Sequence, residues 1–210
     1  MARKKLVRLN DMQKKQIQSM YLDYYEWPDV ADKFDISKGT YHNIIRPLIQ
    51  MRKKLHIEQM ITRLNALPPQ QLGWIAGIID GEGHIGMYSR YRKRDNTYWM
   101  GTKVEVGSTT PIMQTTLHKL IGAGNIRDRP RDNPKWKDVQ EFYMWRVETV
   151  FAFLTVLKPF LVVKKRQAET VLKWALRRLS GKPYIKADMG CFKRIRTLNA
   201  RGKPKIATTL

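Results

Sequence analysis

Asp80 and Glu82 stand two residues apart, with Gly81 between them and Gly83 after, at the end of an apolar stretch carrying Leu72, Trp74, Ile75, Ile78 and Ile79. Carboxylates at the C-terminal end of a helix meet the negative pole of its macrodipole, which a cation would offset. The exposed carbonyls of such an end and a carboxylate are hard oxygen ligands suited to Mg²⁺. Asp80, Gly81 and Glu82 are therefore the candidate metal-binding residues. The glycines at 81 and 83 can stop the helix by taking left-handed geometry. Within the helix, Gly73 and Gly77 lie four residues apart with Ala76 beside them. Glycine inside a helix costs about 1 kcal/mol relative to alanine, so this spacing predicts close approach of another backbone. Spacing alone leaves an ordinary amphipathic helix and turn as the alternative.

The stretch is embedded in a strongly basic chain. Forty Lys and Arg against 18 Asp and Glu give a net charge of +22 over 210 residues. A field of this sign favours polyanions through counterion release. The basic residues do not line up on one amphipathic helix, which favours nucleic acid over a membrane surface. No apolar run has the length of a membrane span, and the first ten residues lack the apolar core of a secretory signal. The single Cys191 excludes an intramolecular disulfide framework and a Cys-rich zinc site. An intracellular, zinc-free, metal-dependent nucleic-acid protein is the expectation.

The nonamer IAGIIDGEG, residues 75–83, resembles the LAGLIDADG motif of homing endonucleases nearly position for position. The stretches GAGNIRDRP (residues 122–130) and PFLVVKKRQAETVLK (residues 159–173) add to the resemblance, which covers roughly residues 70–179. It implies that the motif helix packs against a partner's copy through Gly73, Ala76 and Gly77, and that Glu82, at the eighth position, is the catalytic metal-binding acid. Asp80, at the sixth, serves the helix end and interface or the metal. It further implies Lys164, with Lys165 as the alternative, as a basic residue of the catalytic pocket, and Ser108 or Thr109 as a polar one near the end of the second strand. A single motif per chain implies a homodimer that cuts a pseudo-palindromic double-stranded DNA target with Mg²⁺ and initiates mobility of its own intron or gene. The rivals on the same fold are a DNA-binding regulator that does not cleave and an intron RNA maturase.

The remaining chain supplies the elements such a site needs. After Gly83 the hydrophobic period becomes two, with a turn at Asp95 and Asn96 and a second strand over 97–107. A helix from Pro111 to Ile121, strands over 125–129 and 139–148, and helices over 149–159 and 163–179 follow. Together with the motif helix this is αββαββα: an α+β class, the LAGLIDADG homing endonuclease fold, with a four-stranded antiparallel sheet and helices on one face. Tyr88, Arg90, Arg92, Trp99, Lys103, Arg127 and Arg129 are the expected DNA contacts of the free sheet face. Strand four is apolar on both sides and its facing is left open. Residues 1–67 predict a basic arm and a small all-α module, read as a helix-turn-helix with Lys38, Tyr41 and Arg46 offered to DNA. Pro68 and Pro69 mark the boundary with the endonuclease domain, 68–180, and residues 181–210 read as a basic tail.

Overall fold

Four antiparallel strands carry the site, and the helices that precede and follow them close one of their two faces. The computed structural model describes residues 9–93, 96–131, 135, 137–182 and 185–200. It divides the chain into two units, Met1–Leu55 and His56–Leu210. The basic arm at 1–8 and the Asp95 part of the first hairpin turn lie outside the described residues.

In the first unit, α1 (Asp11–Leu22) starts at Asn10, whose side chain accepts the Gln13 N–H in a capping box. Helix α2 (Trp27–Phe34) takes Pro28 in its first turn, and α3 (Lys38–Ile45) starts at Ser37, which accepts the Thr40 N–H. Ile17, Tyr21, Val30, Ile36, Tyr41 and Ile45 form the core of this unit.

Helix α4 (Ile49–Asn65) crosses the division between units. The expected boundary after residue 67 is thus earlier, between Leu55 and His56. The reason is burial: Met60 and Leu64 belong to the core of the larger unit, and His56 Nε2 lies 2.9 Å from Thr149 Oγ1.

The larger unit continues with α5 (Pro69–Gly81), β1 (Gly83–Arg92), β2 (Thr97–Ser108), α6 (Pro111–Ile121), β3 (Asn125–Arg129), β4 (Val139–Met144), α7 (Val147–Leu157) and α8 (Lys165–Leu179). The sheet order is β1-β2-β4-β3, all antiparallel. Alternation assigns the two faces. Ile85, Met87, Met100, Val104, Val106, Phe142 and Met144 are buried with the helices. The residues between them line the open face, which resolves strand four: Phe142 and Met144 face the core, Glu141 and Tyr143 the other side.

The C-terminal stretch read as a tail contains a further helix, α9 (Lys186–Asn199). Ile195 is 1% exposed in the main core, Arg177 Nη2 donates to Asp188 at 3.0 Å, and Asn199 Nδ2 donates to the Ile85 carbonyl at 2.9 Å. The helix is therefore packed on α8 and β1.

Candidate active site and nucleic-acid interface

Helix α5 ends at Glu82, whose N–H still bonds the Ile78 carbonyl at 2.8 Å. Gly83 must be glycine here, because a Cβ would stand 2.7 Å from the Ile79 carbonyl oxygen. The strand thus departs directly from the helix tip, and Glu82 is left exposed at the junction. Among the described residues its carboxylate makes no hydrogen bond or salt bridge.

Asp80 does something else. Its Oδ2 accepts the N–H groups of Val162 at 2.7 Å and Val163 at 3.1 Å, and its Oδ1 accepts that of Lys164 at 2.8 Å. Burial alone would raise its pKa; the Val162, Lys164 and Val163 N–H groups and the Lys164 charge outweigh this and hold it below the ordinary value. Asp80 is therefore a clamp that fastens the segment before α8 to the end of α5, and both its carboxylate oxygens are engaged by main-chain donors. The structure favours the helix-end role over the metal.

The clamp puts Lys164 at the same tip. Its Nζ donates to the Asp80 carbonyl oxygen, one of the last carbonyls of α5. Burial lowers its pKa, while Asp80 and Glu82 oppose the shift. Glu82 and Lys164 are thus brought together as expected, and Gly81 is exposed beside them. Ser108 and Thr109 follow Val106, which register sets opposite Gly83, so the end of β2 runs beside this tip, with Thr109 exposed. Ser108 lies on the helix-covered side with Val104 and Val106, and its Oγ accepts the Thr110 N–H at 3.0 Å. It shapes the turn into α6.

Along α5, Gly73 and Gly77 are exposed, and a Cβ on either, or on Gly81, would meet nothing within 4 Å. Nothing within the chain requires glycine there. Ala76 is 1% exposed in the chain's own core, so it is not part of the glycine ridge. Exposed Trp74, Val162 and Val163 add apolar surface that the sequence reading missed.

The open sheet face holds most of the expected DNA contacts. Register sets Tyr88 opposite Gly101, Arg90 opposite Trp99, Gly86 opposite Lys103 and Arg127 opposite Glu141. Gly101 leaves room for the Tyr88 ring, which a Cβ would meet at 2.5 Å. Tyr88 packs edge-on against Trp99 at 5.4 Å, and Tyr143 lies 4.7 Å from Trp145. The Arg127 guanidinium stands over both Tyr143 and Trp145, at 4.8 and 5.4 Å.

The charges on this face are held in place. Arg127 Nε donates to Glu141 at 2.6 Å, Arg129 reaches the same carboxylate at 3.5 Å, and Lys103 pairs with Glu105 at 2.7 Å. Near the tip, burial lowers the His84 pKa, Lys103 and Lys164 push the same way, and Glu105 opposes them. Tyr143, Trp145, Glu141 and His84 were missed by the sequence reading, the first three because strand four showed no alternation. The side chain of Arg92 lies outside the described residues.

In the first unit, Lys38 and Arg46 are exposed, but Tyr41 is 4% exposed. It packs with Tyr21 and Trp27, so its expected role as a DNA contact is replaced by one in the core.

No protein-family model matches the chain. The DNA endonuclease I-CreI of Chlamydomonas reinhardtii is 32% identical over 108 residues, 48% of this chain and 59% of that protein. The chain thus spans under two thirds of the length of this curated relative. Among solved structures, the homing endonuclease I-CvuI in complex with the I-CreI target is similar with a TM-score of 0.52 at 19% identity, over 64% of this chain and 85% of that one. The archaeal intron-encoded homing endonuclease I-Vdi141I complexed with DNA gives 0.55 at 17% identity, over 64% and 87%. These likenesses show the fold, and it is the one the motif resemblance implied.

Proposed function

We propose that this chain, which has the LAGLIDADG homing endonuclease fold, is a site-specific double-strand DNA endonuclease. It works as a homodimer with Mg²⁺ on a pseudo-palindromic target, inside the cell, and serves the mobility of its own intron or gene. The observation that carries the reading is the exposed Glu82 carboxylate at the tip of α5, beside Lys164 and at the end of an open basic and aromatic sheet face.

The donor set fits a divalent metal shared with substrate. Among the described residues, no group of three or more His, Cys, Asp or Glu could hold an ion alone. Mg²⁺ does not require such a cage, since it keeps waters and takes one or two carboxylates with phosphate oxygens. Bound there, it would supply an acidified water and positive charge at the scissile phosphate. Glu82 and the carbonyls at the helix tip, Gly81 included, would hold it. Lys164 offers a fixed positive charge to the phosphate as negative charge develops. Asp80 keeps Lys164 in place through its main chain.

A single motif, with Glu82 at its tip, and the exposed ridge of Gly73, Gly77 and Gly81 support the homodimer. A second copy laid along that ridge would cover Trp74, Val162 and Val163 and bring a second Glu82 to a common centre. On the sheet, Tyr88, Arg90, Trp99, Lys103, Arg127 and Arg129 offer the phosphate, base-edge and apolar contacts of major-groove readout. The relatives' names point the same way: one is a DNA endonuclease, and two are homing endonucleases solved with a DNA target or DNA.

The test is a selection from a randomised duplex library, with and without Mg²⁺, using the wild type and Glu82→Gln. The wild type should cut both strands at a selected site, and Glu82→Gln should bind that site without cutting it. Cutting by Glu82→Gln at the wild-type rate would overturn the metal assignment. Specific binding by the wild type without cleavage in any divalent ion would establish the regulator instead.

A further inference from the structure

We propose that the first unit contains a second binding site for duplex DNA, in which α3 enters the major groove. The connection from α2 to α3 is three residues long, Asp35, Ile36 and Ser37. A turn of this length fits a helix-turn-helix. It lacks the glycine often found in such turns, and the structure shows what replaces it: Asp35 takes the left-handed conformation at φ 45°. Ile36 is 4% exposed in the core of the unit, and Ser37 caps α3. The turn is thus pinned on both sides, and α3 is presented in a fixed orientation within its unit.

The helix has two distinct sides. Tyr41 and Ile45 are buried, whereas Lys38, Gly39, His42, Asn43 and Arg46 are exposed. Charge decides which helix of the unit faces the polyanion. Residues 36–55 contain Lys38, Arg46, Arg52, Lys53 and Lys54 and no Asp or Glu, whereas Asp11, Asp23, Glu26, Asp29, Asp32 and Asp35 all precede them. Helix α3 and the chain after it thus carry unopposed positive charge, whereas α1 and α2 mix Lys14, Lys15 and Lys33 with acids.

Gly39 supplies an independent indication. It lies in the first turn of α3, where glycine weakens a helix. A Cβ built there meets only Ser37 Oγ, at 3.8 Å, so packing within the chain does not require its absence. A flat spot on an exposed, basic helix face allows the backbone to approach a groove wall closely. Asn43, in the middle of that face, has the geometry to read adenine through N6 and N7. Lys38 and Arg46, at the two ends, suit flanking phosphates.

The site uses no residue of the Glu82 centre and does not rest on cleavage. It is tested with the full chain in EDTA, by selection from randomised duplex DNA, footprinting and salt titration. Gly39→Leu should bind the selected duplex at least 10-fold more weakly while unfolding at the same or a higher temperature. Asn43→Ala should relax base preference at one position by roughly 5- to 150-fold. Lys38→Ala and Arg46→Ala should each make the plot of log K against log salt shallower by about 0.9. Unchanged affinity and footprint in Gly39→Leu and Asn43→Ala would overturn the proposal. So would a preference of the wild type for RNA over duplex DNA that the same two substitutions abolish.

Discussion

Asp80→Asn separates structure from chemistry at the tip of α5. The carboxylate accepts three main-chain N–H groups, two on Oδ2 and one on Oδ1. An asparagine carbonyl can keep the Val162 and Val163 donors, but its NH₂ then faces the Lys164 N–H, donor against donor. Losing one charge-assisted bond costs about 1.5–3 kcal/mol, and the two that remain become neutral. The site is partly open to water, which screens and partly replaces what is lost. A net destabilisation of about 2–3 kcal/mol follows, or a fall in Tm of about 4–12 °C for a unit of this size. The effect should depend on pH. Because the folded pKa of Asp80 lies below the unfolded value, its stabilisation is fully present above about pH 4 and disappears as pH falls through the folded pKa. Thermal unfolding of wild type and Asp80→Asn at equal protein concentration, from neutral pH down, should show two curves that converge in acid. Cleavage should also fall, since the segment that positions Lys164 is released. Equal stability at neutral pH, with cleavage lost, would refute the clamp and return Asp80 to the metal.

Two further outcomes test the interface and the C-terminal helix. Gly77→Leu should stabilise the isolated chain by roughly 1 kcal/mol through helix propensity, because the space at Cβ is empty. The same change should shift sedimentation from twice the 24.7 kDa chain mass to that of a monomer; a persisting dimer would place the interface elsewhere. Ile195→Ala should cost about 2–5 kcal/mol in denaturant unfolding, and a loss below 0.5 kcal/mol would mean that α9 is not part of the core.

Most of the helices and strands were legible because their signals are local. Asn10 and Ser37 cap helices as their types require, and the alternation of 83–107 gives both faces of the first hairpin. The resemblance of the nonamer implied Glu82, and that of residues 159–173 implied Lys164. What stayed hidden depended on distant partners. Whether Asp80 binds metal or main chain is decided by Val162, Val163 and Lys164, more than eighty residues away. Tyr41 is polar enough to read as a DNA contact, yet its ring is the right size to fill the space between Tyr21 and Trp27. Helix α9 did carry a signal in Met189, Phe192 and Ile195, three residues apart, but the basic residues among them hid it.

Glu141 shows why a charge count could not have located the interface. An acid in the middle of a sheet face proposed to meet DNA reads as a repulsive element, and at 6% exposure it reads as a costly one. Its partners reverse that reading. Arg127 and Arg129 both point their guanidinium groups at the one carboxylate, and Arg127 also lies over Tyr143 and Trp145. A free arginine would lose about 2 kcal/mol of rotamer entropy on meeting a base. Here the carboxylate and the two rings have already fixed Arg127 at the stage of folding. The acid thus lowers the net charge of the face while holding Arg127 ready for contact, and the sequence could not reveal this while strand four had no assigned face.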